Sequence, residues 1–425
     1  LQPATAAVSI AASVWGHAIS SIALPPSRRG VLTGALAAAG FAAVGGGRGE
    51  TGFAAPASAE PAAGDFRILR AQPSGFDGVI PGPTLRVRRG DELRIRLVNA
   101  LSAPTAVHWH GVRLTNAMDG AAPLTQPPVA PAASFDYRFT PPDAGTFWYH
   151  VAAEPPQNAR RDSISAKLYG ALIVADVDPV DVDHDAALIF ARPGNAWSVN
   201  GGAAIKIPAG VNERLRLRLL NADSERLLTL RLETLRAIVM ATDGQPAQPF
   251  TAQDGRLTLG PGNRLDVFAD CTLPVGAAAT IFADDDAPIA AIACAPATAA
   301  RALRPPPQPL PPNPLPQRMD FAGALRREAA IARPVSAPLF AVERGRTVVI
   351  GFSNNTLENG FIHLHGHSFR LLDNLDDGWK PFWLDTLPIA RGSKARIAFV
   401  ADNPGRWLIE GLSSDPAEPA WFAVA

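Results

Sequence analysis

The sequence predicts an all-β protein of three similar β-sandwich domains, and three observations carry that prediction. A glycine followed by an alternating apolar strand ending in asparagine occurs three times: Arg89-Gly90 before LRIRLVNA, Ala209-Gly210 before RLRLRLLNA, and Arg344-Gly345 before TVVIGFSNN. Period-two alternation in each copy reads as a half-buried strand. The terminal asparagines, Asn99, Asn221 and Asn354, lie 122 and 133 residues apart, so the repeat is a whole domain rather than a solenoid unit. No long amphipathic helix interrupts the pattern.

The elements follow in chain order. Residues 1–59 read as a leader: Ser27-Arg28-Arg29-Gly30-Val31-Leu32 is a twin-arginine pattern, an apolar stretch runs from Val31 to Val44, and Ala57-Ser58-Ala59 suits signal peptidase. That stretch is rich in Ala and Gly and shorter than the ~20 residues of a membrane span. Export to the periplasm or exterior is therefore expected, without a membrane anchor; Leu1–Pro26 reads as upstream sequence. Sandwich domains are expected at about 64–178, 182–297 and 331–425. Between the last two lies a linker, 298–330, whose residues 305–316 hold eight prolines. A polyproline II strap at ~3.1 Å per residue would cross a domain face between the second and third units.

Composition excludes several classes. With 425 residues, 47% of them hydrophobic, the chain buries a sizeable core in more than one domain. The 39 basic and 39 acidic side chains balance, against a nucleic-acid or polybasic membrane partner. Two cysteines exclude a disulfide scaffold and any multi-thiolate metal site. Cys271 and Cys294 fall in one domain, where a disulfide needs their strands to be neighbours.

The histidines are informative by position. Nine and eleven residues after Asn99 stand His108 and His110 (HWHG), and at the same offsets after Asn354 stand His363 and His365 (HLHG). After Asn221 the same offsets hold Leu230 and Leu232. Residues i and i+2 of a strand share a face, so each outer domain presents two imidazoles side by side. Matching pairs in homologous domains predict a shared interdomain metal site, with imidazole favouring Cu, Zn, Fe or Ni. A second match aligns Asp143-Ala144-Gly145-Thr146-Phe147-Trp148-Tyr149-His150 with Asn403-Pro404-Gly405-Arg406-Trp407-Leu408-Ile409-Glu410. His150 and Glu410 each stand five residues after the glycine.

These motifs, with FTPPDAGTFWYH, LYGALIV, HLHGHSFRLL and ADNPGRWL, resemble a three-domain multicopper oxidase of the laccase type from about Phe66 to Ala425. The resemblance implies three cupredoxin-like Greek-key sandwiches. It further implies a type 2 copper and a type 3 pair between the first and last domains, where O₂ is reduced, and a type 1 copper in the last domain that collects electrons. Matching positions put His108 and His363 on the type 2 copper and His110, His150 and His365 in the type 3 set. Asp119, in Met118-Asp119-Gly120, matches an acid that assists proton delivery. The sequence departs from the pattern elsewhere. Ala152 stands where a histidine is expected, and the family's His-Cys-His reads Glu410-Gly411-Leu412. The type 1 positions read Gly411, Gly360 and, nearby, Pro416. A blue-copper site depends on a thiolate and two imidazoles, so no type 1 centre and no ordinary laccase turnover are expected.

Other residues carry smaller expectations. His367 is a spare imidazole that would share the face of His365, and Asp385 in FWLDTL a hydrogen-bonding acid beside the cluster. His17 and His184 have no role. Glu410 is either an oxygen ligand or a solvated carboxylate. Three functions compete: a copper-dependent oxidoreductase using O₂ and a small-molecule or metal-ion reductant, a periplasmic copper buffer, and a copper-free structural protein.

Overall fold

The computed structural model describes residues 65–151, 167–284, 286–296, 301–316, 318–331, 338–372, 382–412 and 419–425. The expected leader, Ala152 and Pro416 lie outside them. Among the described residues are 28 strands and only single-turn helices, and no helix is long and apolar enough to cross a membrane.

The strands form three two-sheet units. In the first, the sheet Gly75–Phe76, Arg67–Gln72, Leu93–Asn99, Ser134–Phe139 faces the sheet Leu85–Arg88, Tyr169–Ala175, Gly145–Val151, Val107–His110. The middle unit pairs a six-stranded with a five-stranded sheet, and the last a four-stranded with a five-stranded one. Each asparagine-ended strand runs parallel to the first long strand of its unit and antiparallel to a later one. The middle unit has its own apolar core, whereas the cores of the outer two are continuous.

The asparagines that end the repeat do the same work three times. Asn99 donates through Nδ2 to the carbonyls of Ala103 (2.9 Å) and Val129 (2.8 Å), while Oδ1 accepts from Leu101 N (2.9 Å). Asn221 bonds Arg226 O, Leu259 O and Asp223 N in the same way, and Asn354 bonds Glu358 O, Ile389 O and Thr356 N. All three are fully buried. A side chain with two donors and an acceptor is needed because the chain leaves the sheet there, and its carbonyls would otherwise be buried without partners.

The expectation of half-buried strands fails for Thr347–Ser353, where all but the last residue are buried, and for Arg214–Asn221, where every residue is. Its alternate arginines face other protein instead of water. Arg214 pairs with Asp270 at 2.6 Å, Arg216 with Asp266 at 2.5 Å, and Arg218 with Asp185 at 2.5 Å. Asp266 also accepts from Thr146 Oγ1 of the first unit (2.5 Å), so the ladder is a seam between units. The proline strap closes that seam, lying against the first and middle units as well as leading to the third. Asn313 holds Ala144 by both N (2.9 Å) and O (2.8 Å), and donates to Gln245 Oε1 (2.8 Å). Leu310 packs with Met240, Ala241 and Phe268.

Replacing Asn354 by Ala removes the side-chain donor to the buried Ile389 carbonyl and should cost roughly 1–3 kcal/mol. Asn355→Ala, one residue on and exposed, should be near neutral. Thermal unfolding of both variants checks this; equal effects would remove the asparagine from its structural role.

Candidate metal centre

Strand pairing brings the histidines together. Val107–His110 is the edge strand of its sheet, and its register with Gly145–Val151 sets His108 opposite His150 and His110 opposite Trp148. Gly360–Leu364 sets His363 opposite Glu410 on one neighbour and opposite Thr386 on the other. His150 and Glu410 thus occupy equivalent places in the outer units. The residues between the histidines point into the cores. Trp109 packs on Tyr137, Phe139 and Tyr149 at 5.3, 5.0 and 5.9 Å between centroids, and Leu364 is fully buried. In the middle unit Leu230 and Leu232 are core residues. Gly111 turns the chain at φ +82°, and any Cβ there would lie 2.2 Å from Arg264 Nη2.

The two pairs interleave across the interface. His110 stacks on His363 with centroids 3.6 Å apart, and His108 on His365 at 3.8 Å. His150 sits 5.4 and 5.6 Å from His108 and His110. Two groups offer donor atoms all within 4.8 Å of one another: His108, His110 and His363, and His108, Asp119 and His365.

Hydrogen bonding assigns the tautomers, since hydrogens follow from their partners. His108 Nδ1 lies 2.8 Å from Asp119 O and His363 Nδ1 lies 3.0 Å from Asp385 O. A carbonyl only accepts, so both rings carry the proton on Nδ1 and leave Nε2 as a lone pair. Those two Nε2 atoms face each other at 3.2 Å. Thr386 Oγ1 commits its proton to Asp385 Oδ1 (2.8 Å), so it accepts from His110 Nε2 (2.9 Å) and His363 Nδ1 (3.0 Å). His110 is therefore the opposite tautomer, with Nδ1 free. His110 Nδ1, His150 Nε2 and His365 Nε2 are all buried without a partner. Every imidazole of the cluster has one nitrogen held by protein and the other unpaired. That donor set fits a cation, because the facing lone pairs of His108 and His363 in a dry site repel unless something positive lies between them; His365, held protonated by Asp119 and Glu410, joins the donors only by giving up a proton.

Burial dominates the charge states. It pushes His150 down to about 3 and His363 to about 4, and it lowers His110 well below the usual imidazole range, with help from neighbouring His363. His365 moves the other way. Burial opposes its charged form, yet the Asp119 carboxylate (2.9 Å) and Glu410 raise it to about 9. Asp119 is itself held well below the carboxylate range, its burial outweighed by His365 and His108. Its Oδ1 has no hydrogen-bond partner. Glu410 is part-exposed, with Oε2 3.9 Å from His365 Nε2.

The positions around Glu410 are apolar or empty of side chain. Gly411 has φ +82°, and a Cβ there would lie 2.1 Å from Phe361 O. Ile331 fills the space beside Gly360, its methyls 3.1 and 3.2 Å from where a Cβ would be. Leu412 is fully buried in the core. Both cysteines are buried thiols in the middle unit, without a disulfide.

One expectation is overturned. His367 does not share the face of His365, because the strand ends at Leu364 and the chain turns at Gly366. His367 lies in a box of Phe399, Trp407 and Phe422, 5.2–5.6 Å between centroids, and burial lowers it to about 4. His184 pairs with Glu213 at 2.6 Å in the middle unit. Asp385 does adjoin the cluster, as expected. Sequence reasoning missed Thr386, and it missed Arg264, Asp243 and Asn263 of the middle unit. No sequence signal marked them, since each lies in an ordinary strand or turn context.

Comparison with known proteins agrees with this architecture. Two family models described as multicopper oxidase match residues 66–178 and 306–411, together about half the chain. The solved structure of Lac15 from a marine microbial metagenome is 32% identical with a TM-score of 0.71, covering 84% of this chain and 98% of that one. The chain belongs to the multicopper oxidase family. A multi-copper oxidase structure from Pseudomonas thermotolerans superposes with a TM-score of 0.74 at 27% identity, covering 85% and 99%. Multicopper oxidase MmcO of Mycobacterium tuberculosis is 28% identical over 93% of this chain and 90% of its own length. The family implies copper, O₂ and a small-molecule substrate, and the cupredoxin-like fold.

The lowered imidazoles make the metal-free protein acid-sensitive. A folded-state value below the unfolded 6.5 means that the unfolded chain takes up protons first. Stability from His150, His363 and His367 is thus complete above 6.5 and lost as pH falls toward 4. His365 acts oppositely, its contribution fading as pH rises through about 9. The melting temperature of metal-free protein should fall from pH 6.5 to 4, less steeply in His367→Phe. An unchanged slope would mean that His367 is not held neutral.

Proposed function

We propose that this chain is an exported multicopper-oxidase-like protein that binds copper in a reduced type 2/type 3 site between the first and last sandwiches. On this reading it is a copper-dependent oxidoreductase without the usual thiolate electron inlet. The single observation that supports it best is the set of unpaired nitrogens on five buried imidazoles, converging from two units. His108 and His363 hold one copper. His110, His150 and His365, with Glu410, hold a second. The domain limits are about 64–178, 182–297 and 331–425, and the twin-arginine leader 1–59 directs export.

Bound copper supplies redox and Lewis-acid chemistry at positions open to water or O₂. The chain's own groups do the rest. The carbonyls of Asp119 and Asp385 and the Thr386 hydroxyl fix ring orientation. Asp119, ionised and with one oxygen unpartnered, takes up or relays a proton at Oδ1. Gly411 and Gly360 supply no ligand for a type 1 centre, and Leu412 supplies none at a type 3 position. A small-molecule or metal-ion reductant therefore reaches the cluster directly, and ordinary laccase turnover is not expected.

Protein reconstituted in Cu(II) and dialysed should retain copper with a type 2 EPR signal and no ~600 nm band, since a blue-copper site needs cysteine sulfur. His108→Ala or His363→Ala should abolish the signal, and His184→Ala should leave it. Copper lost on dialysis removes the copper reading and leaves a structural protein on the same fold. The glycines at the inlet positions favour one alternative, a non-catalytic copper-buffering protein. Oxygen uptake with phenolic or metal-ion reductants separates it from the enzyme: copper without uptake means buffer.

A further inference from the structure

The middle sandwich holds no histidine near the cluster, yet its polar residues grip the last unit beside it. Arg264 is fully buried and uses all five of its N–H donors. Nε donates to Thr146 O of the first unit (3.2 Å). Nη1 donates to Gly262 O (3.1 Å) and Asp385 Oδ1 (2.8 Å), and Nη2 to Asp243 O (3.0 Å) and Asp385 Oδ2 (2.6 Å). The fork grips the Asp385 carboxylate with both oxygens, a geometry lysine cannot reproduce.

The backbone of the same dipeptide is held as well. Asp243 Oδ2 accepts from Asp385 N (3.2 Å) and Thr386 N (3.3 Å), and Asn263 Nδ2 donates to Thr386 O (3.0 Å). Asn263 Nδ2 also spans Asp243, 3.1 Å from each carboxylate oxygen. The carboxylate, both amides and one carbonyl of Asp385-Thr386 are thus fixed by residues of another unit.

Asp385-Thr386 in turn decides which nitrogen of two stacked imidazoles carries a proton. Asp385, paired to Arg264, can only accept, so it takes the Thr386 hydroxyl proton. The hydroxyl oxygen is then an acceptor toward both His110 Nε2 and His363 Nδ1. If Asp385 turned away, the Thr386 proton would be released. The hydroxyl could then donate to His110 Nε2, and the preference for His110 Nδ1 as the free lone pair would be lost, whereas His363 still has the Asp385 carbonyl to hold its proton on Nδ1.

We propose that Arg264 and Asp243 of the middle sandwich are positioning residues that, through Asp385-Thr386, hold His110 protonated on Nε2, the tautomer opposite to that of His363, ready for a metal ion. The consequence for metal affinity rests on the copper reading above; the tautomers themselves do not. Ligand-orienting partners of this kind are worth 10–100-fold in metal affinity.

Metal-free protein labelled with 15N-histidine reports tautomers through the imidazole nitrogen shifts. Wild type should show His110 protonated on Nε2 and His363 on Nδ1, assigned by single substitution of each. Arg264→Lys, and the isosteric Asp243→Asn, should mix the tautomers of His110 and leave His367 unchanged. Arg214→Lys alters another bidentate arginine–aspartate pair, Arg214 with the part-exposed Asp270, away from the cluster, and should not alter either ring. In protein that retains copper, Arg264→Lys should also weaken Cu(II) binding by about 10–100-fold and shift the type 2 EPR parameters, while Arg214→Lys should not. If Arg264→Lys does not fold, Asp243→Asn decides. Wild-type tautomers in a folded Arg264 or Asp243 variant overturn the inference, as does equal disturbance by Arg214→Lys. Loss of copper from wild type would sink the copper reading alone and leave the tautomer test standing.

Discussion

The ion pair between Arg264 and Asp385 is the contact on which the rest of the centre depends. It joins the middle unit to the last, and through the Thr146 carbonyl it reaches the first. Both partners are buried, and such pairs give little net stability over apolar packing while punishing the loss of either partner by roughly 3–5 kcal/mol. The pair is better understood as a constraint on geometry. The three units sit at the relative placement that matches every donor of the guanidinium. The histidine cluster forms at that placement, with partners for one nitrogen of each ring and none for the other.

The two outer units contribute to the centre by the same strand pairing and with different chemistry. His150 and Glu410 stand opposite His108 and His363 at equivalent register. On one side an imidazole is kept neutral by burial, and on the other a part-exposed carboxylate supports the charge of His365. The two ends of the cluster are electrostatically unlike although the backbones that carry them are alike. Buried, neutral rings on the His150 side and a carboxylate open to water on the Glu410 side also make the approach of a charged molecule unequal from the two directions.

Much of this was legible in the sequence. The three asparagines that served as rulers prove to be equivalent in their bonds as well as their spacing, and offsets counted from them located four of the five clustered histidines. The pairing of His150 with Glu410 was visible because both follow a glycine by five residues. The middle unit's part was not legible. Alternation in RLRLRLL gave the strand correctly and its environment wrongly, since a charged residue on one face looks the same in sequence whether it meets water or another domain. Arg264, Asp243, Asn263 and Thr386 lie in ordinary strand and turn contexts, and only tertiary placement relates them to a histidine more than a hundred residues away. His367 failed for a local reason: i, i+2 reasoning holds only while the strand continues, and this one stops at Leu364.

The facing nitrogens of His108 and His363 belong to residues 255 positions apart in the chain, and the Asp385-Thr386 dipeptide beside His363 is itself held by the unit in between. The proline strap, anchored by Asn313 on the first and middle units, leads the chain to the last. No shorter stretch of the protein contains the whole donor set. A chain with only its first two units would have neither the partner imidazoles nor the dipeptide beside them, and would bring together only His108, His110 and His150. The full donor set is therefore a property of the finished molecule.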